Sequence, residues 1–486
     1  MTGAFMPASF LFYDLETFGS DPRRTRIAQL AAIRTDADLN IVDDPISFFV
    51  QPANDLLPSP GATLVTGITP QHALREGVNE AEAMARIFDE MSRPETCSVG
   101  YNSLRFDDEF IRFGFWRNFF DPYEREWRGG NSRWDLLDVM RLAHALRPEG
   151  IAWRAREDGG GTSFKLEHLA EDNGLREGMA HEALSDVRAL IGLARVLKTA
   201  QPRFWDYALT LRDKKRAMAM LDAFAMQPLL HVSQRFPASR LCAAPVIPLT
   251  RHPRIDARVI VFDLAQDVEP LLALSAEDIA ARLYVARADL PEGVERIALK
   301  EVHANRCPAL VEWNHLRDGD LERLGIERET VEARAMRLRA AGPKLAEKIR
   351  RVYAESRDFP DADADGALYD GFIPDSDKRL AAQVRATPPH KLGHSGIDFR
   401  DPRLDALLFR YRARNWPHTL DFDEQQRWSD YRRERLLGDS GLGELSLPQY
   451  CQQIAILRGE RAEDPEAQRL LDHLDVWGDD LEGDVA

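Results

Sequence analysis

The stretch Phe10-Leu11-Phe12-Tyr13-Asp14-Leu15-Glu16-Thr17-Phe18-Gly19 runs from apolar and aromatic residues into two acids spaced two apart. A short run of large apolar residues favours a buried strand. On a strand, residues i and i+2 point to the same face, so Asp14 and Glu16 are forced together. Such a pair repels itself unless a cation lies between its members, and hard oxygen ligands select Mg²⁺ or Mn²⁺. Taken alone, an Asp-x-Glu pair is more simply read as two acids facing water. Company changes that reading.

Residues 100–110, GYNSLRFDDEF, place Asp107 after an apolar and aromatic lead-in. Residues 180–198, AHEALSDVRALIGLARVLK, place His181 ahead of a helix whose apolar face is Leu184, Val187, Ile191 and Ala194, with Asp186 in its first turns. Around these motifs the first 200 residues alternate between strand-like runs (10–13, 27–34, 45–50) and helical periodicity (80–91, 182–198). That alternation predicts an α/β domain on a central sheet. Beyond Gln201-Pro202 the texture changes. Short β-branched runs between 228 and 309 predict a small antiparallel β domain, and helix returns over 320–355. A Gly/Asp/Pro-rich stretch, residues 356–372, reads as a linker, and from Lys378 the pattern is helical.

At 486 residues the chain is too long for one core, and two to four folded units are expected. It is 44% hydrophobic and 30% charged, an ordinary globular balance, and no stretch approaches the roughly 18 apolar residues of a membrane span. The first residues lack a basic leader, which places the protein in the cytoplasm. Cys97, Cys242, Cys307 and Cys451 have neither zinc nor disulfide spacing and are expected to be reduced, buried small hydrophobes. Sixty-four bases against 80 acids give a net charge of −16, which on its face argues against a nucleic-acid partner. Distribution qualifies that. Residues 460–486 hold ten acids against Arg461 and Arg469, while bases cluster at 203–216 and 403–416, the latter interleaved with Phe409, Tyr411 and Trp416. Either cluster is equally readable as a solvated helix face.

The motifs FYDLETFG, GYNSLRFDDEF and His-x4-Asp, in this order, resemble those of the DEDDh 3′→5′ exonucleases, whose fold is ribonuclease H-like. VTGITP between the first two is similar to that family as well. NSRWDLLDVMRLAHALRPEGI, LYDGF and LLFRYRARNWPHTLDFDEQQRW extend the likeness, over essentially the whole chain, to the bacterial exodeoxyribonuclease I family. The resemblance implies a multi-domain α/β architecture. A ribonuclease H-like exonuclease domain (1–201) is followed by an SH3-like β-rich domain with a helical extension (202–355), a linker (356–377) and a C-terminal helical domain (378–486).

It assigns Asp14, Glu16, Asp107 and Asp186 to two Mg²⁺ ions, with Mn²⁺ as a substitute, and His181 to the general base. Those roles suit phosphodiester hydrolysis, in which two metals neutralise the attacking and leaving oxygens and an imidazole accepts a proton near neutral pH. A strand of nucleic acid also needs bases for phosphates and rings for stacking. The resemblance assigns strand contacts to Glu16, Arg112, Tyr123, Trp127, Arg141, Lys165, Lys214, Lys300, Asn305, Tyr369 and Phe372. It further implies a pocket at Arg317, Arg328 and Arg339 for the acidic tail of single-stranded-DNA-binding protein. Gln227 stands where a lysine is expected there, and Glu332 where an apolar residue suits the tail. The function implied is processive 3′→5′ degradation of single-stranded DNA to 5′-mononucleotides by a monomer serving repair and recombination. The alternatives are an RNA-directed DEDDh enzyme such as oligoribonuclease or ribonuclease T, and a noncatalytic DNA-binding scaffold.

Overall fold

The computed structural model describes residues 6–175, 182–285, 289–354 and 362–485. They fall into two compact units. The first comprises the described parts of 7–132, 176–189 and 360–486, and the second those of 1–6, 133–175 and 190–359.

In the first unit, strands β1 (Ser9–Thr17), β2 (Ile27–Thr35), β3 (Ile46–Phe49) and β4 (Thr96–Gly100) lie in the order β3-β2-β1-β4. β1 is central, so both its faces are covered, and Phe10 to Tyr13 are all at most 2% exposed. That burial is why the run is continuously apolar rather than alternating. β1 pairs antiparallel with β2, setting Asp14 opposite Ala31 and Glu16 opposite Gln29, and the ladder is irregular at Glu16/Thr17. It pairs parallel with β4 only from Ser9 to Phe12. Asp14 and Glu16 therefore sit beyond the β4 ladder, at the end of the sheet from which β4 leads into the helix Asp107–Arg117. Leu11, Tyr13 and Leu15 pack with Met84, Ile87, Phe110 and Phe115, which leaves the alternate residues Asp14 and Glu16 for the other face.

The second unit holds a wholly antiparallel sheet. Strand β5 (Ser132–Asp135) comes at the junction of the two units in the sequence, and the sheet itself is built from β6 (Leu229–Val232), β7 (Ala243–Arg251), β8 (Arg258–Asp263), β9 (Leu299–His303) and β10 (Ala309–Glu312) in the order β10-β6-β7-β8-β9. Its irregularity at Pro248/Thr250 is where a proline without an N–H is tolerated inside a sheet. The helix expected over 320–355 is two helices, Asp318–Leu324 and Arg328–Val352, and the second kinks where Gly342 takes φ 58° before Pro343.

Three expectations differ from the structure. Only Cys97 is buried; Cys242 and Cys307 are partly exposed and Cys451 is exposed, all four as free thiols. The stretch read as a linker is no free connector over its described part. Residues Ala364–Tyr369 form a 3-10 helix whose Ala364 and Leu368 are buried with Phe113 and Trp116, and Trp116 Nε1 donates to Ala364 O at 2.8 Å. The basic cluster at 403–416 is neither a solvated face nor a phosphate track. It lies on the helix Pro402–Asn415, where Arg410, Arg412 and Arg414 pair with Asp363, Glu424, Asp55 and Asp365. The acidic segment is the helix Pro465–Val485, whose Leu471, Leu474, Trp477 and Leu481 are core. Among the described residues, no helix is long and apolar enough to cross a membrane.

Candidate active site

Carboxylate oxygens of Asp14, Glu16 and Asp186 all lie within 4.8 Å of one another. β1 supplies the first two, and the first turn of the helix Ala183–Ala200 supplies the third. Asp107 is outside that three-residue cluster, but after burial its charge has the largest influence on Asp14. It is the first residue of the helix Asp107–Arg117, with Asp108 and Glu109 following. The Phe106 side chain caps nothing, and the three acids complement the positive end of the helix instead.

The cluster is electrostatically strained. Burial, then Asp107, Glu16 and Asp186, pushes Asp14 well above the usual carboxylate range. Burial, then Asp186 and Asp107, pushes Glu16 up to about 8. All-oxygen donors this close, with no base among their main influences, fit hard divalent cations. His181 lies outside the described residues.

Of the residues assigned to the strand, the first unit holds Arg112, Tyr123, Trp127, Tyr369 and Phe372 in addition to Glu16. Arg112 is not an open phosphate site: it is 6% exposed and pairs bidentately with Glu126 at 2.7 and 3.0 Å. It also donates to Glu109 at 2.9 Å and to the Tyr369 hydroxyl at 3.4 Å, and its guanidinium lies 5.2 Å from the Tyr123 ring centroid. Arg112 thus gathers Tyr123 and Tyr369, and Tyr369 Oη in turn donates to Glu109 at 2.5 Å. Trp127 and Phe372 are 66% and 101% exposed, open ring faces.

The second unit holds the others. Arg141 is also largely buried, bonded to Asp138 at 2.8 Å and Gln234 at 3.4 Å. With Phe164, Gln234 and Phe236 it lines a cavity of about 270 Å³. Lys300 approaches the same Phe236 ring at 5.5 Å and donates to His231 Nε2 at 2.8 Å. Lys165 is exposed and paired with Glu167 at 3.1 Å, and Lys214 and Asn305 are exposed. Phe164, Gln234 and Phe236, which line that cavity, carry no signal in the sequence, since single residues in loops and turns have no periodicity.

Of the assigned tail pocket, Arg317 lines a cavity of about 690 Å³ with Arg147, Arg203, Arg323, Glu149 and Asp320, and Arg147 is paired with Asp320 at 2.6 Å. Arg328 lies over the Trp313 ring and Arg339 is exposed on the helix Arg328–Val352. Glu332 accepts from Trp313 Nε1 at 3.1 Å, and the Gln227 side chain donates to Ala225 O at 3.4 Å.

Three family models match the chain: Exonuclease over residues 11–194, the Exonuclease I SH3-like domain over 212–355 and the Exonuclease I C-terminal domain over 362–481. Exodeoxyribonuclease I of Escherichia coli (strain K12) is 45% identical over 475 residues, covering 98% of each chain. That of Haemophilus influenzae is 44% identical, covering 88% of this chain and 90% of its own. The crystal structure of E. coli Exonuclease I in complex with a dA16 oligonucleotide matches with a TM-score of 0.93 at 45% identity, over 98% of this chain and 100% of that one. A moderately thermophilic Exonuclease I from Methylocaldum szegediense matches with a TM-score of 0.94 at 44% identity, over 99% and 100%. Carboxylates gathered at the open end of a mixed sheet, in a chain with these relatives, define a 3′→5′ exodeoxyribonuclease. The chain belongs to the exodeoxyribonuclease I family.

Proposed function

We propose that the protein shortens single-stranded DNA from its 3′ end, releasing 5′-mononucleotides by hydrolysis at the Asp14, Glu16, Asp107 and Asp186 site with two Mg²⁺ ions. The observation that carries this is the three-carboxylate cluster within 4.8 Å, whose mutual repulsion a divalent cation relieves. Relatives support both ligands: one E. coli structure is a complex with a dA16 oligonucleotide, and another is the zinc ion bound form of an ExoI–ssDNA complex. When bound, such ions neutralise charge on the scissile phosphate and acidify the attacking water. The protein's own part is to hold the four carboxylates, exclude bulk water around Glu16 and Asp107, and accept a proton at His181.

Trp127, Tyr369 and Phe372 offer stacking surfaces, while Lys165, Lys214, Lys300 and Arg141 offer positive charge for the backbone. Arg112 acts on the strand through the rings it gathers. We place the enzyme in the cytoplasm, acting processively as a monomer in repair and recombination. Arg317, Arg328 and Arg339 are the residues we assign to the acidic tail of single-stranded-DNA-binding protein, a reading supported at Arg317 by the cavity it lines with Arg203 and Arg323.

Asp14→Ala and Asp186→Ala test the reading together. Each is expected to abolish cleavage of a 5′-labelled single strand while the strand still binds, because the cationic contacts do not depend on these carboxylates. Turnover retained in either purified variant contradicts the site.

A further inference from the structure

Behind the carboxylates, on the opposite side of β1, lies a polar trio that hydrolysis itself does not use. Tyr13 is 2% exposed, and Asp108 and Arg125 are 0% exposed. The Tyr13 hydroxyl donates to Asp108 Oδ1 at 2.7 Å, and Arg125 Nη2 donates to the same oxygen. Three elements meet there: β1, the helix Asp107–Arg117 and the turn Glu124–Glu126. The turn is fixed from a second side as well, because Glu126 accepts from Nε and Nη2 of Arg112.

The surroundings are apolar, since Tyr13 packs in one cluster with Leu11, Leu15, Phe110, Ile111 and Phe115. Burying an ion pair and a hydroxyl in such a place costs desolvation that a well-packed apolar trio avoids, so stability alone accounts poorly for it. Its position accounts for it better. Tyr13 is the chain neighbour of Asp14, and Asp108 the neighbour of Asp107, and adjacent Cα atoms are held about 3.8 Å apart. A tie between Tyr13 and Asp108 is therefore, one residue along on each element, a constraint on the separation of Asp14 and Asp107. Those two carboxylates repel each other, so without a tie β1 and the helix are pushed apart at the place where a cation must be gripped.

We propose that Tyr13, Asp108 and Arg125 are positioning residues, a buried clamp that sets the spacing of the cation-binding carboxylates on β1 and the helix Asp107–Arg117. The inference rests on the metal-site reading above and adds the groups that set its geometry. Its signature is a changed affinity for the cation with the chemistry preserved.

The test uses full-length Tyr13→Phe, which keeps the ring and removes the tie. Tyr450→Phe is the matched control: Tyr450 is equally buried and its hydroxyl donates to Leu474 O at 2.8 Å, within the C-terminal helices. Mn²⁺ binding is followed by electron paramagnetic resonance without DNA, alongside thermal unfolding and the Mg²⁺ dependence of cleavage. Tyr13→Phe is expected to bind Mn²⁺ roughly 10-fold more weakly, the low end of what removing ligand-orienting groups costs. It should unfold within a few degrees of Tyr450→Phe and recover most of its maximal rate at high Mg²⁺. Tyr450→Phe should bind Mn²⁺ as the wild type does. Wild-type affinity in Tyr13→Phe, or equal weakening in both variants, overturns the clamp while leaving the metal site standing. Mn²⁺ binding by the Asp186→Ala variant as tight as that of the wild type overturns the metal-site reading and the clamp with it.

Discussion

Glu16 shows how much the site is built for a guest. Burial, then Asp186 and Asp107, raises it from an ordinary 4.5 to about 8, so the folded metal-free protein holds a proton there that the unfolded chain releases. Stability of the metal-free protein must then fall as pH rises from about 4.5 through 8, because the folded state binds more protons in that window. A divalent cation removes the penalty by binding the ionised form. Glu16→Gln is accordingly expected to raise the unfolding temperature in EDTA at pH 8 by on the order of 2 °C while abolishing cleavage. Scanning calorimetry at pH 6 and 8 checks this, and a variant less stable than the wild type at pH 8 contradicts it. The Asp-x-Glu pair was legible because strand alternation fixes its face. The roles within Asp107-Asp108-Glu109 were not. Successive helical residues point about 100° apart, and only the fold shows that Asp107 influences Asp14, Asp108 holds Tyr13, and Glu109 accepts from Arg112 and Tyr369.

At the scale of elements, the segment Ala364–Tyr369 is one of the links between the C-terminal helices of the first unit and its catalytic sheet. Asp365 anchors it, accepting from Arg26 and from both arms of Arg414, and Arg414 also reaches Asp55. Burial alone would raise Asp55, yet Arg414, Arg435 and Arg26 hold it at about 2. Asp365 is likewise held well below its usual range. Both contribute stability above about pH 4 that is lost as pH falls toward 2. Asp365→Ala leaves buried arginines uncompensated and is expected to cost about 3–5 kcal/mol, read from urea unfolding at pH 7; a loss under 1 kcal/mol contradicts the network. Sequence patterning could not reveal this. Asp, Gly and Pro in a row signal a connector by composition, whereas the arginines that hold Asp365 lie 339 residues earlier, at Arg26, and 49 residues further on, at Arg414. The helix Pro465–Val485 was legible: although acids dominate its composition, Leu470, Leu474, Trp477, Leu481 and Val485 recur at helical spacing, and they are buried.

For the whole molecule, a chain of net charge −16 must hold a polyanion by local rather than global charge. At about −0.7 per phosphate neutralised on a single strand, Lys165, Lys214 and Lys300 alone give a slope of log affinity against log salt of about −2, and adding Arg112 and Arg141 gives about −3.5. The ion pairs already made by both arginines place the expected value nearer the first figure. Asp480→Asn and Glu482→Gln, on the exposed face of the last helix, should leave the slope unchanged, since the Debye length at 0.15 M salt is about 8 Å; a marked change on fluorescence titration contradicts local binding. The three-part order of α/β, β-rich and helical segments was legible from periodicity. The grouping of the C-terminal helices with the catalytic sheet in one unit was not, because it depends on contacts between residues hundreds apart. The central claim, metal-dependent removal of nucleotides from the 3′ end of a single strand, is tested most directly by incubating 5′-labelled single-stranded DNA, blunt duplex and RNA of one sequence with Mg²⁺ or with EDTA. The expected result is conversion of the labelled strand to short 5′-labelled oligonucleotides from single-stranded DNA alone, present with Mg²⁺ and absent with EDTA. Immediate release of a labelled mononucleotide, undiminished products in EDTA, or faster loss of RNA than DNA would contradict it.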